Sequence, residues 1–405
     1  MEDQPNYASY TFDELVDARA HLDSESFPER AAELDERIEN FAKAQSSKTI
    51  EGETSSLKEH ARTSAVTFYG NAGEYFRIWI VNLLLTIVTL GVYSAWATVR
   101  NNRYFYSNTE IDGHRFAYLA TPMQILKGRI VGLVLFGSYF LASGFAPGFA
   151  LLILLLLFIL TPVLIVMSLR FRMRMTAYRN VRFNFNKDFA GAYVTYLGLP
   201  LVGVLSLYLA FPWVIKKMNE FIYNNVTFGD KRFESKLEGG TYYLAALASG
   251  LAASAVFVVF MAVLGGSGSF EAFADPEASA TLPTSIIIMM GALYLTAIVV
   301  SGAIWSAMIR NHIYNNTELN DVASFDSNVS IPGLVALRVT NTLALIASLG
   351  FAMAWVKVRT MKFYANATSV NVQKGADSVV SKEGEAQSSI ADEVSTIFDV
   401  DVAIG

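Results

Sequence analysis

Five stretches of this chain, residues 78–99, 130–169, 189–215, 239–270 and 278–309, contain no Asp, Glu, Lys or Arg. A helix needs about 20 consecutive apolar residues to cross roughly 30 Å of hydrocarbon. The stretch 130–169 is long enough for two crossings, with Phe145-Ala146-Pro147-Gly148 as the turn between them. A single buried helix of a soluble protein imitates one such run, but not five. The chain therefore reads as an all-α polytopic membrane protein. Its composition agrees, with 53% hydrophobic and 17% charged residues among 405, whereas a soluble domain is about a quarter charged.

The net charge of −5 averages unlike parts. Residues 1–66 carry 15 acidic and 7 basic side chains and residues 371–405 carry 7 and 2, while 67–370 carries 14 and 22. Basic residues beside spans record orientation, so they do not point to nucleic acid. There is no Cys, which removes disulfides, thiolate metal sites and a Cys nucleophile. The polar first 66 residues lack a charged-then-apolar leader, so the first apolar segment is expected to serve as the targeting signal.

Residues 10–42 read as two short helices, with Leu15, Ala18 and Leu22 on one apolar stripe and Ala31, Leu34, Ile38 and Phe41 on the other. The expected layout is an acidic cytoplasmic helical hairpin over 1–42, a linker over 43–66, a membrane domain over 67–370 and an acidic flexible tail over 371–405. Residues 1–42 are either a docking module for a cytoplasmic protein or a solvated appendage.

The membrane domain repeats itself. "NLLLTIVTLGVYSAWATVRNNRYFYSNTEI" at 82–111 is echoed by "NTLALIASLGFAMAWVKVRTMKFYANATSV" at 341–370. After Trp96 come Arg100, Tyr106, Asn108 and Phe116, and after Trp213 come Lys217, Tyr223, Asn225 and Phe233 at the same spacings. "IYNNTEL" at 313–319, followed by Phe325, and "RMTAYRNVRF" at 174–183 are further copies. A register shared across so many boundaries points to duplication: repeat one over 67–187, repeat two over 188–325, and a partial third over 326–370.

The stretches 100–129, 170–187 and 216–236 are rich in Arg and Lys and so should be cytoplasmic, whereas 266–283, with Glu271, Asp275 and Glu277, should be outside. Two spans fit between 129 and 170, and two between 238 and 310. Only one span's length separates 187 from 216, although both its ends read as cytoplasmic, and the difficulty recurs over 75–108 and 333–363. Gly91, Gly198, Pro200 and Gly350 lie partway along these runs, and Gly and Pro weaken a helix interior by about 1 and 3 kcal/mol. Helices broken there would dip in and return as re-entrant hairpins, giving tandem repeats of a helical hairpin plus two spans with both tails cytoplasmic. The rival is seven full spans, which puts one tail outside or one basic loop on the wrong face.

Each repeat closes with a Trp and nearby cations: Trp96 with Arg100 and Arg103, Trp213 with Lys217, Trp305 with Arg310, and Trp355 with Arg359. Interfacial anchoring explains this pattern, and so does a cationic cytoplasmic vestibule or a site for anionic lipid headgroups. Asn108, Asn225 and Asn316 are candidate helix caps before short cytoplasmic β-turn motifs such as Asp112-Gly113 and Gly229-Asp230. Arg77, Asn82, Arg338 and Asn341 are the polar residues deepest in the membrane. The four His show no metal-ligand spacing, and no nucleophile elbow, phosphate loop or dinucleotide fingerprint occurs. No cofactor and no catalytic group is therefore expected.

The stretch 68–116, with "RMTAYRNVRFNF", "NNVTFGDKRF" and "RNHIYNNTEL" in that order, resembles the YjgN family of bacterial inner-membrane proteins, a domain of unknown function, over about 67–370. That resemblance implies an inner-membrane location and a multi-pass fold, and it brings no activity or site residues. On the residues alone, transport, channel or lipid handling is one expectation, suited to broken helices with cationic rims. A non-catalytic scaffold that recruits a partner through its acidic tails is the other.

Overall fold

The computed structural model describes residues 62–266 and 284–373, with Leu15, Ala32, residues 34–40, Gly375, Ala376 and Val379 besides. The chain divides into two units, Met1–Ala61 and Arg62–Gly405. In the first, residues 34–40 are helical, and Leu15 and Leu34 are buried. The rest of the helical hairpin expected at 1–42 lies outside the described residues, as does the linker as far as Ala61.

Among its described residues the second unit contains ten principal helices in five consecutive pairs. Three pairs are short: α1 (Ala72–Val88) with α2 (Ser94–Ser107), α5 (Phe189–Leu205) with α6 (Phe211–Asn224), and α9 (Ile331–Ala347) with α10 (Met353–Asn366). Two are long: α3 (Pro122–Phe145) with α4 (Pro147–Arg174), and α7 (Gly239–Gly266) with α8 (Thr284–Asn315). Local chemistry sets the helix starts. Asn71 Oδ1 accepts from Gly73 N at 2.7 Å, Asp188 Oδ1 from Gly191 N at 2.8 Å, and Gln124 Oε1 from Thr121 N at 2.9 Å just before Pro122. Among the described residues, these four long helices are the ones long and apolar enough to cross a membrane. Leu133, Phe140, Leu151, Leu251, Ile288 and Tyr294 stand exposed along them, as lipid-facing residues do.

Every pair runs into strands. β3 (Thr109–Ile111) and β4 (His114–Tyr118) follow α2, β5 (Thr176–Tyr178) and β6 (Val181–Phe185) follow α4, and β7 (Val226–Phe228) and β8 (Lys231–Ser235) follow α6. β9 (Thr317–Leu319) and β10 (Ala323–Ser327) follow α8, and β11 (Thr368–Val372) follows α10. The remaining strands, β1 (Arg62–Ala65) and β2 (Thr67–Phe68), precede α1 and are one stretch of chain interrupted at Val66. Residues with positive φ make the reversals: Asp112-Gly113, Arg179-Asn180, Gly229 and Asp321.

The sheet order is β1-β11-β10-β9-β8-β7-β6-β5-β4-β3-β2, antiparallel throughout. Its two ends are the same segment. Residues 62–65 pair with β11, Val66 N donates to Thr368 O at 3.1 Å, and Thr67 and Phe68 pair with Glu110 and Thr109. The sheet is thus a closed ring with no free edge. This corrects the all-α reading in one respect: the β-turn motifs are not separate ornaments but one barrel built from every inter-pair connection. Residues 62–65, assigned to the linker, and Asn371 and Val372, assigned to the tail, are strand residues of that ring, and Val66 N bonds to it.

The short pairs turn at 89–93, 206–210 and 348–352. Gly91 and Gly350 sit at the first and third turns with φ of 93° and 90°. Gly198 and Pro200 do not break their run. The chain passes through them as helix, with one π-helical turn at Val194–Gly198, and reverses at Leu207 and Tyr208, with φ of 52° and 68°. Pro200 is tolerated because it follows directly on the π-helical turn, where the regular ladder is already interrupted.

Candidate functional site: the ring lumen and its helical floor

Alternation along the short strands sorts the ring's side chains. Arg115, Ala117, Arg182, Asn184, Arg232, Glu234 and Asp326 are exposed, while Phe116, Phe183, Phe233 and Phe325 turn inward, as a period of two requires. Inside, the rings touch in sequence. Phe116 and Tyr178 lie 4.9 Å apart by centroid, Tyr178 and Phe228 6.2 Å, Phe228 and Phe183 4.7 Å, Phe183 and Phe233 6.3 Å, and Phe233 and Phe325 5.9 Å. They line a cavity of about 140 Å³, closed elsewhere by Leu319, Val322, Val370 and Val372.

Asp112 and Arg179 stand at the turn end of this lumen. Asp112 holds the closing strand: it accepts from the Arg62 guanidinium, and from Ser64 Oγ at 3.1 Å. Burial pushes its pKa up, but the Arg62 and Ser64 hydrogen bonds and the charges of Arg62 and Arg179 outweigh that and hold it below the usual value. Tyr178 donates to Ile111 O at 2.7 Å, and burial, with the Asp112 charge added, pushes its pKa up to about 12.

At the helix end of the ring is a second cavity of about 160 Å³, lined by Tyr223, Phe233, Ile313, Tyr314, Thr317 and Phe325. Phe233 and Phe325 line both cavities, so this stacked pair forms the partition between them. Below it, the Arg310 guanidinium lies 4.1 Å from the Tyr314 ring centroid and 4.7 Å from that of Tyr364, and its Nη2 donates to Thr368 Oγ1 at 3.0 Å.

The other sequence-predicted residues are distributed around this axis. Asn82 and Asn341 are buried, 3% and 7% exposed, and each meets the cation that follows a Trp. Arg100 Nη1 donates to Asn82 Oδ1 at 3.3 Å, and Arg359 Nη1 to Asn341 Oδ1 at 2.9 Å. Arg359 also lies 4.9 Å from the Trp355 ring centroid, whereas Trp96 stacks on Tyr93 at 6.1 Å. Lys217 pairs with Glu220 at 2.9 Å, as does Lys216. Arg103 donates to Ala120 O at 3.3 Å, and Arg338 to Ser306 Oγ at 2.7 Å. These cations engage protein groups rather than extending freely towards headgroups. Arg77 is exposed and Trp213 half-buried; Trp305 meets Tyr242 at 6.3 Å. Asn108, Asn225 and Asn316 each turn their amide back to the carbonyl four residues earlier, at 2.8, 2.9 and 2.8 Å, closing the helix that leads into the strands. Among the described residues no three of His, Asp and Glu gather as metal ligands. The site's chemistry is that of apolar faces with Asp112 and Arg179 at the turn end and Arg310 below the partition.

Residues 63–397, which include all five helix pairs and the ring but for its first residue, match the model of a family described as a bacterial protein of unknown function, DUF898. The chain belongs to this family. Among the proteins similar to it, the inner membrane protein YjgN of Escherichia coli strain K12 is 27% identical over 299 residues, which cover 63% of this chain and 75% of that protein. The protein of the same name from Salmonella typhimurium is 26% identical over 357 residues, covering 78% and 90%. No solved structure matches. Membership makes this a membrane protein of a family without an assigned activity, so any role for the lumen rests on its geometry. The sequence register marked Phe116, Phe233 and Phe325 as recurring, but nothing in it showed that they face one another.

Proposed function

We propose that this DUF898 protein is a multi-pass inner-membrane protein whose strand ring forms the cytoplasmic mouth of a transport, channel or lipid-handling pathway. One observation carries the reading: the four inter-pair connections, together with the strands that precede α1 and follow α10, join in one ring, which argues for their sharing one face of the membrane. Each helix pair then begins and ends on that face. The long pairs have length for two crossings. In the short pairs, helices of 17 and 14 residues reach only about 25 and 21 Å at about 1.5 Å per residue, short of roughly 30 Å of hydrocarbon. They dip and return, and duplication of a helix-pair-plus-hairpin unit accounts for their recurrence. The basic stretches 100–129, 170–187 and 216–236 put the ring side in the cytoplasm.

The tips suit hydrocarbon. Leu90, Leu207 and Leu349 are 95%, 82% and 89% exposed, while the peptide N–H groups of each turn find acceptors within the turn or the helix before it. Gly91 N donates to Thr86 O at 2.8 Å, Tyr208 N to Gly203 O at 3.0 Å and Gly350 N to Leu345 O at 2.8 Å. Thr89, Ser206 and Ser348 hydroxyls accept from Tyr93, Ala210 and Ala352 N, each at 2.9 Å. Apolar side chains outside and paired peptide N–H groups suit a turn in lipid.

The chain has no native Cys, so single cysteines test both halves of the reading. Val92→Cys should resist a membrane-impermeant thiol reagent in intact cells, and Phe233→Cys should react with a small charged reagent only from the cytoplasmic side of inverted vesicles. Labelling of Val92→Cys from outside removes the dip. An inert Phe233→Cys, with Lys231→Cys on the same strand reactive as a control, makes the lumen a packed core and removes the pathway. The scaffold alternative draws on residues 1–42 and 371–405, nearly all outside the described residues, and no contact described here favours it.

A further inference from the structure

The geometry points to a binding groove for a soluble oligophosphate on the outer face of the ring, across β4, β5 and the start of β6, with Arg115, Arg179 and Arg182 as its cations. The groove lies outside the lumen, so it stands or falls independently of any pathway through it.

Its volume is about 390 Å³, and ligand clefts run from roughly 300 to 1,000 Å³. The three guanidiniums line it together with His114 and Asn180, and among the described residues no Asp or Glu does. Two carboxylates stand close by. Glu110 Oε2 accepts from Arg115 Nε at 3.2 Å, and Asp112 feels the charge of Arg179. The contact with Glu110 engages Nε alone, and Arg115 stays half exposed, so its two Nη groups can serve a second anion.

Three features separate this groove from an ordinary solvated strand face. The first is its floor. Arg115, Arg182 and Arg232 share one register, each just before an inward Phe, and the outward residue two places on is Ala117, Asn184 or Glu234. Across the strand pair these meet Ala177, Thr227 and Glu318. Of these three pairs, the first alone sets alanine against alanine, and Ala177 is only 6% exposed although it faces outward. The second feature is opposed charge. Phe116 lies across from Tyr178, so the next step towards the turn sets Arg115 beside Arg179. Like charges facing each other across strands are destabilising, and an anion held between them reverses the sign. The third is backbone. Arg179 has φ of 50°, where the other hairpin turns of the ring place Asp or Gly. An arginine kept in that sparsely populated region is strained, and a ligand contact offsets the strain.

The arrangement of donors sets the ligand class. A carboxylate occupies one guanidinium fork, whereas phosphate oxygens accept from several directions, and two linked phosphates can span three cations. Leu119 marks the helix end of the groove. From there back to Arg115 is four residues, about 14 Å at roughly 3.4 Å per residue. That distance lifts the cations away from headgroups packed against the helices and favours a molecule from solution.

Pyrophosphate is the probe, titrated into the full-length purified protein in detergent and followed by calorimetry, with inorganic phosphate in parallel. Pyrophosphate should bind saturably and more tightly than phosphate. Arg182→Gln should weaken it by about tenfold or more, as loss of a charge-assisted hydrogen bond does. Arg232→Gln, in the same register but outside the groove, should leave the affinity unchanged. Ala117→Glu should abolish binding by placing an acid on the floor. Glu234 occupies the equivalent position on β8, so the strand accepts this change, and the variant serves if Arg182→Gln misfolds. Absence of saturable pyrophosphate binding overturns the inference, as does equal weakening by Arg232→Gln and Arg182→Gln, which would reduce the effect to net charge. Phosphate binding as tight as pyrophosphate overturns the oligophosphate assignment. Displacement of pyrophosphate by dihexanoyl phosphatidylglycerol at equal concentration overturns the soluble source and gives the groove to a lipid headgroup.

Discussion

Arg359 donates to Asn341 at 2.9 Å across the third short helix pair, and Arg100 reaches Asn82 at 3.3 Å across the first. Each cation sits on the returning helix, eighteen residues after its amide partner, and each amide is buried. Asn341 also donates to Thr360 Oγ1 at 3.2 Å, and Asn82 to Asn101 Oδ1 at 3.0 Å. The two helices of each pair are thus fastened midway by a polar contact that lipid cannot replace.

Removing the amide therefore leaves a cation facing an apolar surface. Asn341→Leu should destabilise the protein by about 1–3 kcal/mol, the cost of a charged donor losing its acceptor. Each cation keeps a second acceptor, Tyr93 Oη at 3.3 Å for Arg100 and Thr340 Oγ1 at 2.6 Å for Arg359, so Asn82→Leu should cost less only because the contact it removes is the longer one, 3.3 against 2.9 Å. Thermal unfolding in detergent ranks the two. A double-mutant cycle of Asn341→Leu with Arg359→Leu should show coupling of about 0.5–3 kcal/mol, and additivity would refute the fastening.

The tip turns make opposite predictions for two glycines with equal room around them. Neither Gly198 nor Gly350 has any atom within 4 Å of where a Cβ would stand. Gly350 has φ of +90° and Gly198 is helical, so backbone strain decides the sign. Gly350→Ala should destabilise by about 1–2 kcal/mol, and Gly198→Ala should be neutral or stabilise by up to about 1 kcal/mol. If Gly198→Ala is the damaging one, the reversal at Leu207 and Tyr208 is misplaced.

That pair of glycines also shows what the sequence made legible. Gly91 and Gly350 marked real turns because glycine supplies left-handed backbone. The second short pair turns on Leu207 and Tyr208, which carry no such signal, so Gly198 and Pro200 drew the assignment instead. The long helices could be read from charge alone. The ring could not, because its strands are three to five residues long, or two for β2, and it closes between residues as far apart as Thr63 and Asn371, whose side chains meet at 2.6 Å. Arg310 and the Tyr314 segment stood out in the repeated register. Tyr364 completes their cluster only because α10 returns beside α8, which no local pattern records.

Ring closure should respond to pH at both ends of the scale. The pKa of Asp112 is held below 3.8, so its contribution is fully present above that value and is lost as pH falls through the folded pKa. Asp112→Asn should flatten this acid limb. Tyr178 rises from 10.0 to about 12, so above pH 10 the unfolded chain gives up its proton first and stability falls with rising pH. Tyr178→Phe should remove that alkaline loss. Unfolding temperatures of the three proteins across pH measure both limbs, and unchanged limbs in the variants would place the titrating groups elsewhere.

Phe325 divides the lumen, and truncating it should join the two cavities. Its ring stacks on Phe233 at 5.9 Å and faces both spaces. Phe325→Ala removes those contacts and leaves a void that the closed ring cannot collapse to fill, because every strand is paired on both sides. A loss of about 3–5 kcal/mol is expected for a fully enclosed ring, and the lower end applies because Phe325 is only partly buried. The joined space is walled by Phe183, Phe228, Phe233, Leu319 and Val370, and an apolar cavity of this kind stays dry and admits benzene. The variant should therefore regain part of its lost thermal stability when benzene is added, while the wild-type protein gains less. A variant equally destabilised but indifferent to benzene would mean that the ring has relaxed inward, and that the partition is packing rather than a gate.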